Sequence, residues 1–147
     1  MLSYRKGDLL KAFQSGEVDV IGHQCNCFCT MGSGIAPQIA KLWPSVREAD
    51  NKTIFGDRGK LGTLNFVRVE EGHIFNLYGQ YRYGSREPDT DYEALDSALK
   101  QMSEMIDHTS KVGFPKIGCG KGGGNWDIVK AMIMMNFIGV DVTVYDL

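Results

Sequence analysis

Two segments of the chain run through the same order of patterns. VDVIG at 18–22 is a short β-rich run that enters the loop HQCNCFCTMGSGIAPQI at 23–39, where Gly-Ser-Gly opens a helical pattern. VGFPKIG at 112–118 enters CGKGGGNWDIVK, which ends in a second helical pattern with Asn125 placed to cap it. Strands that alternate with helices in this way point to an α/β fold.

The rest of the sequence fills in that frame. Further β-rich runs fall at 2–6, 62–69, 73–78 and 140–145, and the short Glu70-Glu71-Gly72 connection between two of them suits an antiparallel hairpin. Helical patterns cover 8–14, 34–50, 90–108 and 125–137. In the third, Thr90 and Glu93 have the spacing of a capping box, and Tyr92, Leu95, Leu99, Met102 and Ile106 form one apolar stripe. Pro37 suits a first helical turn, whereas Pro44 should kink or end its helix. The expected architecture is a three-layer α/β/α sandwich on a mixed, six-stranded sheet, with residues 1–147 as a single domain. With 147 residues, 43% of them hydrophobic, the chain can bury one such core.

Charge and cysteine usage narrow the function classes. The formal net charge of -2 gives no overall attraction to nucleic acid or anionic lipid, so phosphate binding would have to come from local geometry. No stretch approaches the roughly 18 to 20 apolar residues of a membrane span, and the expected location is cytoplasmic, with no membrane partner. Cys25, Cys27 and Cys29 crowd into five residues with Cys119 far away, which fits neither a disulfide framework nor the knuckle spacing of zinc sites. No metal and no cofactor are expected, and the Met-rich MIMMNF at 132–137 reads as core packing.

Glycine loops let backbone amides approach an anion, and a helix start adds further donors. Gly32, Ser33 and Gly34 in the first loop, and Gly118, Gly120, Gly122, Gly123 and Gly124 in the second, are candidates for that work. Adjacent strand ends would bring both loops to one crevice, where a diphosphate fits. The phosphate-binding loop G-x-x-x-x-G-K-[ST] is missing, and GSGIAPQ does not complete the dinucleotide pattern G-x-G-x-x-G.

YRKGDLL near the start, HQCNCFCTMGSGIA, FPKIGCGKGGGNW and the closing VTVYDL together resemble a macro domain. The similarity spans almost the whole chain and is to the branch that includes ADP-ribose 1''-phosphate phosphatases and ADP-ribosyl-ester hydrolases. The resemblance implies an ADP-ribose cleft. Asp8 would accept from the adenine amino group beside Leu9, and Tyr145 and Leu147 would border that pocket. Asn26, Met31, Gly32, Ser33, Gly34 and Ile35 would wrap the distal ribose and one phosphate. Ile117, Gly118, Cys119, Gly120, Lys121, Gly122, Gly123 and Gly124 would hold the other side of the diphosphate. The ester-hydrolysing relatives carry a catalytic Lys and Asp where this chain has Gln80 and Gly122.

The expected activity is therefore a phosphoric monoester hydrolase acting on ADP-ribose 1''-phosphate. A module that only binds ADP-ribose, and a hydrolase that removes ADP-ribose from modified protein or nucleic acid, are the alternatives. Asn26, His23 and Asp91 are the catalytic candidates: an orienting amide, an imidazole in the right titration range and a carboxylate near the cleft. Lys121 is a candidate cation for the phosphates. Free ADP-ribose, its 1''-phosphate and ADP-ribosylated macromolecules are the expected partners, and a monomer the expected state.

Overall fold

A computed structural model describes residues 2–84 and 88–146 of the chain. Its single sheet has six strands: β1 (Leu2–Lys6), β2 (Val20–Gln24), β3 (Leu64–Val69), β4 (Gly72–Leu77), β5 (Lys111–Phe114) and β6 (Asp141–Asp146), in the order β1-β6-β5-β2-β4-β3. All neighbours pair parallel except β3 and β4, the antiparallel hairpin anticipated from Glu70-Glu71-Gly72. The sheet is mixed because a short turn can join only antiparallel strands.

Strand alternation sends successive side chains to opposite faces and divides the core in two. Ile21, Ile74 and Tyr78 lie on one face with Leu10 and Phe13 of α1 (Leu9–Ser15), Ile39 of α2 (Ala36–Leu42) and Val46 of α3 (Pro44–Asn51). Val20, Phe75, Val112 and Val142 lie on the other with Leu95, Leu99 and Met102 of α4 (Tyr92–Met105) and Ile133 of α5 (Trp126–Asn136). The layers are helix, sheet, helix, as expected. No helix among the described residues is long and apolar enough to cross a membrane.

Pro44 ends its helix as the sequence predicts, so the segment 34–50 is two helices: Pro44 takes the first position of α3 and Trp43 leaves helical geometry at φ -132 and ψ 83. One helix start differs from the sequence expectation. The predicted Thr90–Glu93 capping box does not form. Asp91 is the N-cap of α4 and accepts from the Ala94 amide at 3.0 Å, which frees Thr90 to bond elsewhere. Asn125 caps α5 as anticipated, accepting from the Asp127 amide at 2.9 Å.

Candidate functional site

Five parallel strands end at the same edge of the sheet, so the segments that follow them line up in the order of the strands. Asp8 follows β1, Asp146 closes β6, residues 115–124 follow β5, residues 25–35 follow β2, and residues 78–84 and 88–91 follow β4. At about 4.8 Å per strand, four spacings cover about 19 Å. The two glycine loops occupy the middle of that edge, at the crevice where β2 and β5 pair side by side.

Two adjoining cavities open between them. One of about 420 Å3 is walled by Asn26, Thr30, Gly32, Tyr83 and Asp89, among others. The other, about 190 Å3, lies against Gly34, Ile35, Ile117, Gly118, Gly120 and Gly122. Gln24, Ser33, Ala36, Gln80 and Lys121 line both, so the two form one cleft with a lysine at the junction. Among the described residues, the amides of Gly32, Ser33 and Gly34, and those of Gly118, Gly120, Lys121 and Gly122, meet no protein acceptor. Donors left over on both walls suit an anion with oxygens on each side. α2 has only seven residues, so the loop amides rather than its dipole carry this feature.

The first loop is held by side chains. Asn26 Oδ1 accepts from the Phe28 amide at 2.8 Å, and its Nδ2 donates to the Thr30 carbonyl at 3.1 Å and hydroxyl at 2.7 Å. The amide is thus committed to the turn, and Asn26 shapes the wall of the cleft. The second loop is held by its backbone and by Thr90. The Thr90 hydroxyl donates to the Gly118 carbonyl at 2.6 Å and accepts from Gln24 Nε2 at 2.9 Å, while the same Nε2 donates to Gln80 Oε1 at 2.8 Å. Gln24 Oε1 is buried without a protein partner among the described residues.

His23 and Asp91, anticipated as proton-transfer groups, are both engaged in structural bonds, and of the two only His23 borders the cleft, at the smaller cavity. The His23 ring is buried on the α1–α3 face, and its Nε2 lies 2.6 Å from Asn76 Oδ1. Asn76 spends its Nδ2 donating to Val46 and Asn65, so its Oδ1 accepts and His23 carries the proton on Nε2. Burial lowers the pKa of His23 to about 4, against a smaller opposing effect of the Asn76 bond, so the ring is neutral at pH 7. Asp91 faces a separate groove with Arg58 and Glu93, its carboxylate engaged as the α4 cap. Asp89, two residues earlier, is the carboxylate that borders the larger cavity, and its amide donates to Gly122 O at 2.8 Å. Its place at the cavity has no signature in the sequence.

The other anticipated ligand residues divide. The side chains of Met31 and Leu9 are buried in the apolar core, which leaves Met31 out of the cleft wall and leaves Leu9 only the backbone contact expected of it beside Asp8. Cys119, Gly123 and Gly124 border neither cavity; a Cβ on Gly124 would fall 2.7 Å from Gly118 O, so that glycine is needed for the turn itself. Asp8 caps α1, accepting from Leu10 at 2.9 Å, and shares a second groove with Tyr145, Lys6 and Lys11. Leu147 lies outside the described residues. Cys25 and Cys27 are buried, and among the described residues no group of three or more His, Cys, Asp or Glu is placed to hold a metal ion.

Known proteins resemble the chain along almost its whole length. The family model described as Macro domain matches residues 23–133. An uncharacterized 17.5 kDa protein of Enterobacteria phage T4 is 34% identical over 154 residues, covering 99% of this chain and 96% of that one. Human ADP-ribose glycohydrolase OARD1 is 31% identical over 150 residues, covering 99% of this chain and 91% of its own. A Meyerozyma guilliermondii ADP-ribose 1''-phosphate phosphatase is 23% identical over 172 residues, 97% of this chain and 98% of its own. The solved macrodomain of Mycobacterium tuberculosis DarG superposes with a TM-score of 0.79 at 26% identity, covering 100% of this chain and 98% of that one. With a sheet of this order and two glycine loops meeting at its edge, the chain belongs to the Macro domain family.

Proposed function

We propose that the cleft binds ADP-ribose and that the protein removes the terminal phosphate of ADP-ribose 1''-phosphate, giving ADP-ribose and inorganic phosphate. The observation that carries this reading is the pair of facing loops whose free amides border one cleft with Lys121 at its centre. The diphosphate would lie between the loops, and the distal ribose would point toward Asn26, Thr30 and Asp89. There Asp89 would orient the attacking water and accept its proton, while Lys121 and the loop amides offset charge on the phosphate oxygens. Relatives named as hydrolases of ADP-ribose compounds support the reaction class.

One feature favours phosphate release over cleavage of an ADP-ribosyl ester. The family resemblance sets Gly122 where the ester-hydrolysing relatives would carry Asp, and a Cβ there would sit 2.5 Å from Thr90 Oγ1 and 2.9 Å from Gly118 O. Gln80, in place of their Lys, is tied into the neutral Gln24 and Thr90 network. The test is a calorimetric titration with ADP-ribose and AMP alongside a phosphate-release assay on ADP-ribose 1''-phosphate. Tight ADP-ribose binding, weak AMP binding and release that falls in Asp89→Asn are expected. Binding without release would make the protein a reader of ADP-ribose, and equal affinity for the two nucleotides would end the two-loop reading.

A further inference from the structure

At the first loop, on residues that line neither cavity of the cleft, a thiol and an amine are held in contact. Cys29 Sγ lies 3.6 Å from Lys60 Nζ, and both reach the Thr53 hydroxyl, at 3.4 Å and 2.7 Å. That hydroxyl donates its own proton to the Asp50 carbonyl at 2.6 Å, so it accepts from Lys60. Lys60 ends the short 3-10 turn Arg58–Lys60, is 8% exposed, lies 5.3 Å from the centre of the Tyr78 ring, and forms no ion pair among the described residues.

The backbone fixes the sulfur from the other direction. Cys29 has φ 56, in the left-handed region that a side chain seldom occupies, and this places Sγ 3.3 Å from the Asp50 carbonyl oxygen. The two segments are also joined by a bond from the Gly56 amide to the Cys27 carbonyl at 2.7 Å. Nitrogen and sulfur therefore meet without any search of conformations. Cys29 is partly exposed and so open to a small oxidant, whereas Cys25 and Cys27 are buried and burial pushes both thiols up.

We propose that Cys29 and Lys60 form a reversible nitrogen–sulfur crosslink when the protein meets hydrogen peroxide. In the first step the thiol sulfur takes one peroxide oxygen to become a sulfenic acid, and the other oxygen leaves as water. The Lys60 amine, having given a proton to water, then attacks that sulfur. The S–O bond breaks, an S–N bond forms, and the hydroxyl leaves with an amine proton as a second water. Sulfur is oxidised, one peroxide is reduced to two waters, and the protein loses two hydrogens. An added thiol reverses the bond by attacking sulfur and releasing the amine. The crosslink would fasten the loop that carries Gly32 to Gly34 to the 53–60 segment, and its detection needs no ligand.

The test is intact-mass measurement of the full chain after peroxide treatment, followed by capping of free thiols and non-reducing tryptic mapping. A loss of about 2 Da is expected, with the Cys29 peptide joined at Lys60, no cleavage after Lys60, and full reversal by dithiothreitol. Lys60→Arg keeps the positive charge but has no nucleophilic amine, and Cys29→Ser has no thiol; each should abolish the joined peptide. The same mass loss in Lys60→Arg would mean a disulfide and would overturn the proposal. So would a Cys29 that gains oxygen while Lys60 stays free, and this reading comes from the wild-type map even if a variant does not fold.

Discussion

The two glycine loops look alike in sequence and use most of their glycines in opposite ways. In the first, a Cβ built on Gly32 or Gly34 meets nothing within 4 Å. In the second, a Cβ on Gly118, Gly122 or Gly124 would come within 3.0, 2.5 and 2.7 Å of Gln24 Oε1, Thr90 Oγ1 and Gly118 O respectively. The first loop keeps its shape through Asn26 and leaves space in front of its glycines; the second keeps its shape because its glycines let Thr90 and its own carbonyls close in. Glycine in the first loop makes room for a ligand; in the second, Gly118, Gly122 and Gly124 make room for the protein, while a Cβ on Gly120, at the smaller cavity, would meet nothing within 4 Å.

The contrast is broken most directly by adding a side chain to each. Gly32→Glu places a charged group in open space at a position with no positive φ, so the fold should be retained while ADP-ribose affinity falls about a hundredfold or more. Gly34→Glu should do the same at some cost in stability, because φ there is 64. Titration calorimetry together with thermal unfolding separates the two effects; full affinity in folded Gly32→Glu would remove the first loop from the site. Gly122→Ala should behave the other way. Crowding of Thr90 and the Gly118 carbonyl should cost about 2 to 3 kcal/mol of stability, read as a lower urea midpoint at unchanged slope.

Acid sharpens the comparison, because the first loop springs from a strand that contains a titrating anchor. His23 has a folded pKa of about 4 against an ordinary 6.5, so as pH falls through 6.5 the unfolded chain takes up a proton that the folded chain refuses. Stability present at neutral pH is therefore lost between about 6.5 and 4, amounting to about 2 kcal/mol by pH 5. The hydroxyl, amide and backbone bonds of the second loop do not titrate in that range. Urea midpoints at pH 7 and pH 5 should differ less in His23→Gln than in the wild type; an equal difference in both would assign the acid sensitivity elsewhere.

How much of this was legible in the sequence depends on whether a residue obeys a period. The strands, the hairpin and the apolar stripe of α4 follow from alternation and helical spacing, and the structure places them within a few residues of expectation. His23 was legible too, had the period been followed: it is two residues from Ile21 and two from Cys25, so it shares their buried face. Loops have no such period. Nothing in PDTDYEAL distinguishes Asp89, at the cavity, from Asp91, at the cap, except that Asp91 stands directly before the first helical residue, the favoured capping place. Which second-loop glycines face Thr90 depends on long-range packing that one sequence does not display.

Asn26 gives the smallest expected effect and the finest division between shape and chemistry. Its Oδ1 holds the Phe28 amide and its Nδ2 holds Thr30, so Asn26→Ala should lose about 1 kcal/mol of stability and loosen the turn. Asn26→Asp keeps the acceptor for Phe28 but replaces the donor to Thr30 with a carboxylate beside the cavity. If Asn26 acts only through the turn, the aspartate variant should recover part of the alanine variant's stability, and phosphate release should rise or fall with ADP-ribose affinity in both. If its amide instead swings toward the reacting phosphate, both variants should lose kcat well beyond any loss in affinity, because the missing contact would exist only in the transition state. Measuring kcat, ADP-ribose affinity and urea midpoint for the pair decides between these. The bonds seen in the first loop predict that turnover follows affinity, which would leave Asp89 as the carboxylate on which the chemistry depends.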